Sequence, residues 1–396
     1  MCQEVLGLKR VLSGGRWAFL VIILALVVTG CTSRGVVNPG WTVVAATEDS
    51  VYAVLATGKV VALDAATGLE RWYYPITQPS SGGLGALFAP KPTGEQQTVV
   101  DAVYGLPVLT DDLVIVGAFN NRLFAFNRTT GQKAWEYNTQ GAIVGGATDF
   151  KGTIYFGSSD SGVSASRVYA LNPITPTAEV VWNPVVTKHW IWGAPAIDEQ
   201  QVYVGSMDHH VYALDRKTGT VVWDRDMGAA VPGSVTLADN TVLVGGVAKK
   251  LTALRSDTGE TIWEKTLGQW VWGEAVVSNS VVYVGTLDGI VHALAVQDGS
   301  TKWDSLQLDG AIRAGPAIAG AYLVIGTDTG SIYRIEMASG KAELIYKIAG
   351  ASVLSKIAVV GDRLYVGTTT ATVVALDVTR VGGAPLWVYP APAAAK

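Results

Sequence analysis

Cysteine is nearly missing from this chain of 396 residues: only Cys2 and Cys31 are present, both close to the start. No disulfide framework and no thiolate metal site can therefore exist in the body of the protein. Histidine is scarce as well, limited to His189, His209, His210 and His292. His209 and His210 follow Asp208 at a hairpin tip, but a closed metal site needs three or four convergent ligands, so the pair reads as an exposed turn and no metal site is assigned. His292 stands where other copies of the repeat described below carry Tyr212 and Tyr333, which implies packing. Charge is thin too, at 16% of residues with a formal net of −4, too weak and of the wrong sign to grip a phosphate backbone. Nucleic acid is thereby excluded as a partner. Neither a G-x-S-x-G elbow nor an H-E-x-x-H pair occurs, and no catalytic residue is assigned.

One apolar run stands out, Trp17 to Val28, preceded by the basic residues Lys9, Arg10 and Arg16. It is short for a membrane span and reads instead as the core of an export signal. The run ends in Val28-Thr29-Gly30-Cys31, which resembles a bacterial lipobox. That resemblance implies cleavage after residue 30 and acylation of Cys31, with the polar segment 31–40 as a lipidated tether. Thr32 follows the cysteine where an Asp would resemble a retention signal, which implies an outer-membrane destination if the cell has one, and otherwise the outer face of the cytoplasmic membrane. The expected organisation is a signal peptide at 1–30, the tether at 31–40, a folded body at 41–390 and a short tail at 391–396.

What the chain has in abundance is glycine, 45 residues, and tryptophan, 13, within a composition that is 49% apolar. Many short buried strands joined by tight turns suit those proportions. The unit is plainest at 201–223, where two runs of alternating apolar residues flank a tight turn and a third run ends in Trp223. It recurs at 241–263, 281–303 and 113–135, with diverged copies at 51–72, 153–182, 322–346 and 363–387. The glycine closing the second strand falls at Gly117, Gly157, Gly205, Gly245, Gly285, Gly326 and Gly367, and Val54 holds that place in the first copy. Turn pairs such as Asn120-Asn121, Asp208-His209 and Asp288-Gly289 tolerate the positive φ of a tight hairpin. A strand that alternates faces cannot bury both sides alone, so each unit must stack on neighbours. Eight four-stranded antiparallel units closing into a ring satisfy that need, and the predicted fold is an all-β, eight-bladed, monomeric β-propeller.

The link between third and fourth strands is the most specific signal. It reads Ala62-Leu63-Asp64-Ala65-Ala66-Thr67-Gly68-Leu69-Glu70-Arg71-Trp72, and returns from Ala125 to Trp135, Ala213 to Trp223, Ala253 to Trp263 and Ala293 to Trp303. An indole four residues after the glycine can stack on a neighbouring blade while its N–H finds a carbonyl. Trp182 and Trp387 keep the place in degenerate copies, and Tyr346 is read as its replacement in the seventh. This Ala-x-Asp-x-x-Thr-Gly-x-x-x-Trp pattern resembles the tryptophan-docking motif of the PQQ-type propeller superfamily. With the lipobox and the chain length, it is most similar to the BamB-like lipoproteins. The resemblance implies a non-catalytic scaffold that binds protein partners through loops on one face, within a complex assembling outer-membrane β-barrels, and no cofactor. A sensor or ligand-binding propeller is the alternative. The third is a quinone-dependent dehydrogenase, against which stand the short chain and the lack of an adjacent cysteine pair.

Two departures exceed what the repeat requires. Trp190-Ile191-Trp192-Gly193 and Trp270-Val271-Trp272-Gly273 stand at the entry to two innermost strands, with Arg313 at the same point of the next copy. These four tryptophans and Arg313 are the candidate ligand or partner site, and a plug filling a wide channel is the competing explanation. Alternation would put Trp190 with Trp192, and Trp270 with Trp272, on shared sides. Glu274, two residues past Trp272, is the one carboxylate beside them. The other departure is a long loop at 76–103, rich in Pro, Gly and Ser, and a lesser insertion runs from Ser158 to Ser166.

Overall fold

The computed structural model describes residues 40–75, 99–159, 166–174 and 177–391. The leader, Cys31 and its tether, residues 76–98 of the long loop, residues 160–165 and residues 392–396 lie outside that set. Among the described residues the chain is all β, with strands grouped into eight four-stranded antiparallel sheets, each in chain order. The blades cover 43–74, 108–138, 147–187, 196–226, 236–266, 276–307, 317–347 and 358–389. The fourth is typical: Ala196–Ile197, Gln201–Gly205, His210–Asp215 and Val221–Asp226.

Alternation explains why these strands must form blades that stack. Val202, Val204, Tyr212 and Leu214 pack with Tyr155, Val168 and Trp182 of the third blade. Their neighbours in the same strands, Tyr203, Val211 and Ala213, pack with Val242, Val244 and Leu254 of the fifth. One strand therefore feeds two cores, and no blade has a dry face of its own.

The repeated glycine of the second strand is required by close approach. A Cβ added at Gly205 would lie 2.4 Å from a methyl of Val231, and at Gly285 2.4 Å from Ile312. In each case the β-branched residue comes from the loop entering the next blade, so glycine and knob form a joint between neighbours. At Gly367 the approaching atom is the Thr42 carbonyl oxygen, 2.2 Å away, and this joint closes the ring.

Closure is completed without strand exchange. The eighth blade takes all four strands from its own segment, which decides a point that the sequence leaves open. Trp387, Tyr365, Val373 and Ala375 share one buried cluster with Val51, Val61 and Leu63 of the first blade. Thr42 N donates to Thr368 O at 3.3 Å, and Ser355 Oγ to Thr42 O at 2.9 Å. On the outer side Lys59 pairs with Glu70 at 2.8 Å, while the Tyr389 hydroxyl donates to the same carboxylate.

The turn motif has a direct physical reading. Asp64 Oδ1 accepts from the backbone N–H of Ala66 and Thr67 and from the Thr67 hydroxyl, at 3.1, 2.9 and 2.8 Å. Asn127 and Asp215 hold their own turns in the same way. The following Gly68, at φ +72, reverses the chain so that the fourth strand can return.

Seven indoles meet neighbouring blades on the lattice this creates. Nε1 of Trp72, Trp182, Trp223, Trp263, Trp303 and Trp387 donates to the carbonyl of Arg128, Arg216, Ser256, Val296, Met337 and Ala65, at 2.7 to 3.2 Å. Each acceptor directly follows the residue in the turn's Asp place, and each ring lies over that turn's glycine. Trp135 is buried, but its Nε1 has no hydrogen-bond partner among the described residues, and the third blade's sequence after Asn172 departs from the Asp-x-x-Thr-Gly pattern. In the first six blades a register shift falls just before the tryptophan, as between Ala213 and Leu214, and a bulge there aims the indole.

The seventh blade corrects one expectation. Tyr346 lies opposite Ile332 and does not take the tryptophan's place. The bulge there is displaced to between Ile332 and Tyr333, leaving Leu344 exposed at the position four beyond Gly340. Arg334, which occupies the alanine position of the other blades, sends Nη1 to the Val378 carbonyl at 2.8 Å. That carbonyl is the eighth blade's equivalent of those accepting indole N–H groups elsewhere. The guanidinium is held by Glu343 at 2.6 Å and lies over the Tyr322 ring.

Candidate functional site

The loops that deliver a buried knob to each joint also build the central funnel. In every such loop the middle residue, Val103, Ile143, Ile191, Val231, Val271, Ile312 or Val353, is buried between blades. The residue after it lines the funnel in every one of these loops. Glycines follow in five of the seven loops because the backbones touch: a Cβ on Gly193 would lie 2.5 Å from the Gly233 carbonyl oxygen, and one on Gly145 2.4 Å from the Trp192 carbonyl oxygen. These small residues let the loops meet closely around the axis.

The mouth is a cavity of about 680 Å³. Trp190, Trp192, Trp272 and Arg313 line it, whereas Trp270 does not and is 39% exposed outside it. Trp190 and Trp192 lie with ring centroids 5.8 Å apart and near-parallel planes, and Trp192 reaches Trp272 at 6.1 Å. The pairing expected between Trp270 and Trp272 gives way to one across blades, since these residues sit in loops where strand alternation does not apply.

Residues that sequence reasoning missed complete the opposite arc. Trp41 and Tyr104 meet edge to face at 4.7 Å, Tyr104 and Phe119 at 6.0 Å, and all three line the cavity. Trp41 Nε1 donates to the Tyr104 carbonyl at 3.1 Å. None of the three belongs to the Trp-x-Trp pattern, though Tyr104 occupies the loop position of Trp192 and Trp272.

Charge in the cavity is almost cancelled. Glu274 forms an ion pair with Lys356, and both line the wall. Arg313 is exposed and makes no ion pair or hydrogen bond with any described residue. The wall hydroxyls are turned to the backbone: Thr148 donates to Pro195 O at 2.7 Å, Ser355 to Thr42 O at 2.9 Å, and Ser234 Oγ accepts from Ala194 N at 2.9 Å. The wall therefore offers rings, one unneutralised cation and the side-chain amide of Asn121.

Three of the four histidines lie away from the funnel residues, at positions 209, 210 and 292. His209 sits at φ +79 in its hairpin turn. Asp208 accepts from Tyr212 OH at 2.7 Å and Lys188 N at 2.9 Å; burial raises its pKa, yet these bonds outweigh burial and leave it below the usual carboxylate value. Tyr212 is pushed up, first by burial and then by its bond to Asp208. Burial holds His292 below its ordinary value, with Nδ1 3.1 Å from Ser305 Oγ.

A tryptophan-docked eight-bladed propeller with an aromatic funnel defines a class that hosts both scaffolds and enzymes. Within it the chain belongs to the family described as outer membrane protein assembly factor BamB, whose model matches residues 37–207, 164–269, 207–351 and 287–395. BamB of Yersinia pestis is 26% identical over 220 residues, 46% of this chain and 55% of that protein. BamB of Burkholderia pseudomallei is 28% identical over 205 residues, 45% of this chain and 53% of that one, so the chain spans about half the length of these relatives. A quinoprotein ethanol dehydrogenase of Pseudomonas putida is 29% identical over 159 residues, 34% of this chain and 24% of the enzyme. The crystal structure of BamB from Moraxella catarrhalis superposes with a TM-score of 0.63 at 19% identity, over 84% of this chain and 92% of that one, which supports the fold.

The dehydrogenase likeness raises a calcium-bound quinone. Calcium takes several oxygen ligands, usually more than one carboxylate. Here Glu274 is the single carboxylate among the lining residues and is already bound to Lys356. No cluster of three or more His, Cys, Asp or Glu suited to a metal occurs among the described residues. This donor set does not fit that cofactor.

Proposed function

We propose that the protein is a non-catalytic scaffold of the cell envelope, holding protein partners on the funnel face and acting as an accessory in assembling outer-membrane β-barrels. The observation that carries this reading is the composition of the mouth: six aromatic rings and an unneutralised guanidinium, with one carboxylate that is ion-paired. Acid–base catalysis needs a positioned group able to exchange protons, whereas indoles and a permanently charged guanidinium supply contact area and anchoring. Membership of the BamB family, and the likeness to BamB proteins of several bacteria, support the same role. Cys31 is proposed as the lipid anchor that keeps the propeller at the membrane.

The test is made in the native cell. Deleting the gene is expected to lower the abundance of β-barrel proteins in the outer membrane. Wild-type protein, and not a Trp190→Ala/Trp272→Ala variant that still folds, should restore it and co-purify the barrel-inserting component. Cys31→Ala should release the protein from the membrane. Unchanged barrel abundance in the deletion strain, or dye-linked alcohol oxidation by purified protein given PQQ and Ca²⁺, would overturn the proposal.

A further inference from the structure

We infer that the funnel is a receptor for a single carboxylate carried on an apolar or aromatic body. The inference rests on the reading of the funnel face as a binding face, and does not depend on the role in barrel assembly.

Three observations converge on that chemistry. The cavity, about 680 Å³, is of the size that encloses a small ligand or a few residues of a chain. Its walls are two aromatic arcs, Trp190-Trp192-Trp272 and Trp41-Tyr104-Phe119, facing one space, and they favour a flat or hydrocarbon body. Of its three charged residues Lys356 and Glu274 neutralise each other, leaving Arg313 as one net positive charge in a protein whose overall charge is −4. An unpaired guanidinium beside apolar rings attracts an anion and presents a fork that matches a carboxylate.

The wall also argues against the other common occupant of aromatic clefts. A sugar offers many hydroxyls and requires many polar partners, and a burial that leaves them unpaired is costly. Here Thr148 and Ser355 donate to backbone carbonyls and Ser234 accepts a backbone N–H. With Asn121 as the one lining amide left without a hydrogen bond to the described residues, the site is built to read one charge and a large apolar surface. The same chemistry occurs in a free aromatic acid and at the C-terminal end of a peptide, and the experiment separates these sources.

The full-length protein in detergent is titrated, by calorimetry and tryptophan fluorescence, with indole-3-acetate, with N-acetyl-Phe-Phe as free acid and as C-terminal amide, and with glucose. Both acids should bind and quench fluorescence, the amide should bind at least about tenfold more weakly, as expected on losing a charge-assisted hydrogen bond, and glucose should be silent. Binding of the peptide acid alone would assign the chain end as the source, and binding of indole-3-acetate alone would assign a free acid. Arg313→Gln should weaken the acids by about tenfold or more and leave the amide unchanged. Trp192→Phe, chosen because a truncation there risks the fold, should weaken acid and amide alike. Equal affinity for acid and amide, indifference to Arg313→Gln, or silence toward every probe would overturn the inference. Partner capture that survives Arg313→Gln while acid binding is lost would support the inference and leave the scaffold role standing.

Discussion

The seam between the fourth and fifth blades and the seam between the seventh and eighth accomplish one task with different chemistry. In the first, a bulge after Ala213 aims Trp223 onto Gly259, and the indole N–H reaches Ser256 O at 2.8 Å. In the second, the bulge has moved, no indole is present, and Arg334 reaches the equivalent Val378 O at the same distance from the third strand. At every joint but that of Trp135, one side chain donates to a turn carbonyl of the next blade. An indole supplies that donor and covers the turn's glycine as one rigid, apolar piece. A guanidinium supplies the donor, and it needs Glu343 and the Tyr322 ring to hold it.

This comparison sets the order of effects expected on mutation. Trp223→Ala removes a large buried ring and is expected to cost about 3–5 kcal/mol in chemical denaturation. Trp190→Ala, at the half-exposed mouth, should cost far less, and equal losses at the two positions would place Trp190 in the core. Arg334→Ala is the next largest, about 1.5–3 kcal/mol, because it leaves the Val378 carbonyl without its charged donor and Glu343 with Lys341 alone. A change within error would show that the seventh seam is held by its apolar cluster alone.

The smallest expected effect is a pH dependence at the same blade. Burial raises the pKa of Asp309, but bonds from Ser331, Lys347, Thr329 and Thr327 overcome it and bring the carboxyl to about 2. A carboxyl depressed on folding contributes stability at and above its unfolded pKa of about 3.9, and that contribution is lost as pH falls through the folded value. Wild-type stability should therefore drop between about pH 4 and pH 2, and Asp309→Asn should flatten part of that drop. Parallel stability curves for the two proteins would remove Asp309 from the account.

How much of this was legible beforehand follows from which residues obey the repeat. Gly205 and its counterparts could be read as strand-closing glycines from their spacing, and the Asp-x-x-Thr-Gly turns from their composition, since both are local devices copied from blade to blade. Arg334 carried a signal too, as the one residue breaking a run of alanines opposite the tryptophans, but Tyr346 drew attention because it resembles what it was supposed to replace. The funnel was half legible. Trp192, Trp272 and Arg313 repeat at one point of the loop, with Trp190 two residues before Trp192, whereas Trp41 enters from the first residues of the body and Tyr104 from the end of the long loop. Glu274 and Lys356 are 82 positions apart, and only the closed ring shows that they neutralise each other.

Because the joints run head to tail, from one blade to the next blade's knob and turn, and because no strand is shared across the closure, the closing joint is of the same kind as the one between the fourth and fifth blades. Thr42 answers Gly367 and Gly68 answers Trp387 just as Val231 answers Gly205 and Gly259 answers Trp223. A circularly permuted chain, cut between any two blades and rejoined by a linker from residue 391 to residue 40, would keep all eight interfaces intact. The position of the opening therefore serves as a free variable for carrying a label or a fused domain to any chosen side of the funnel.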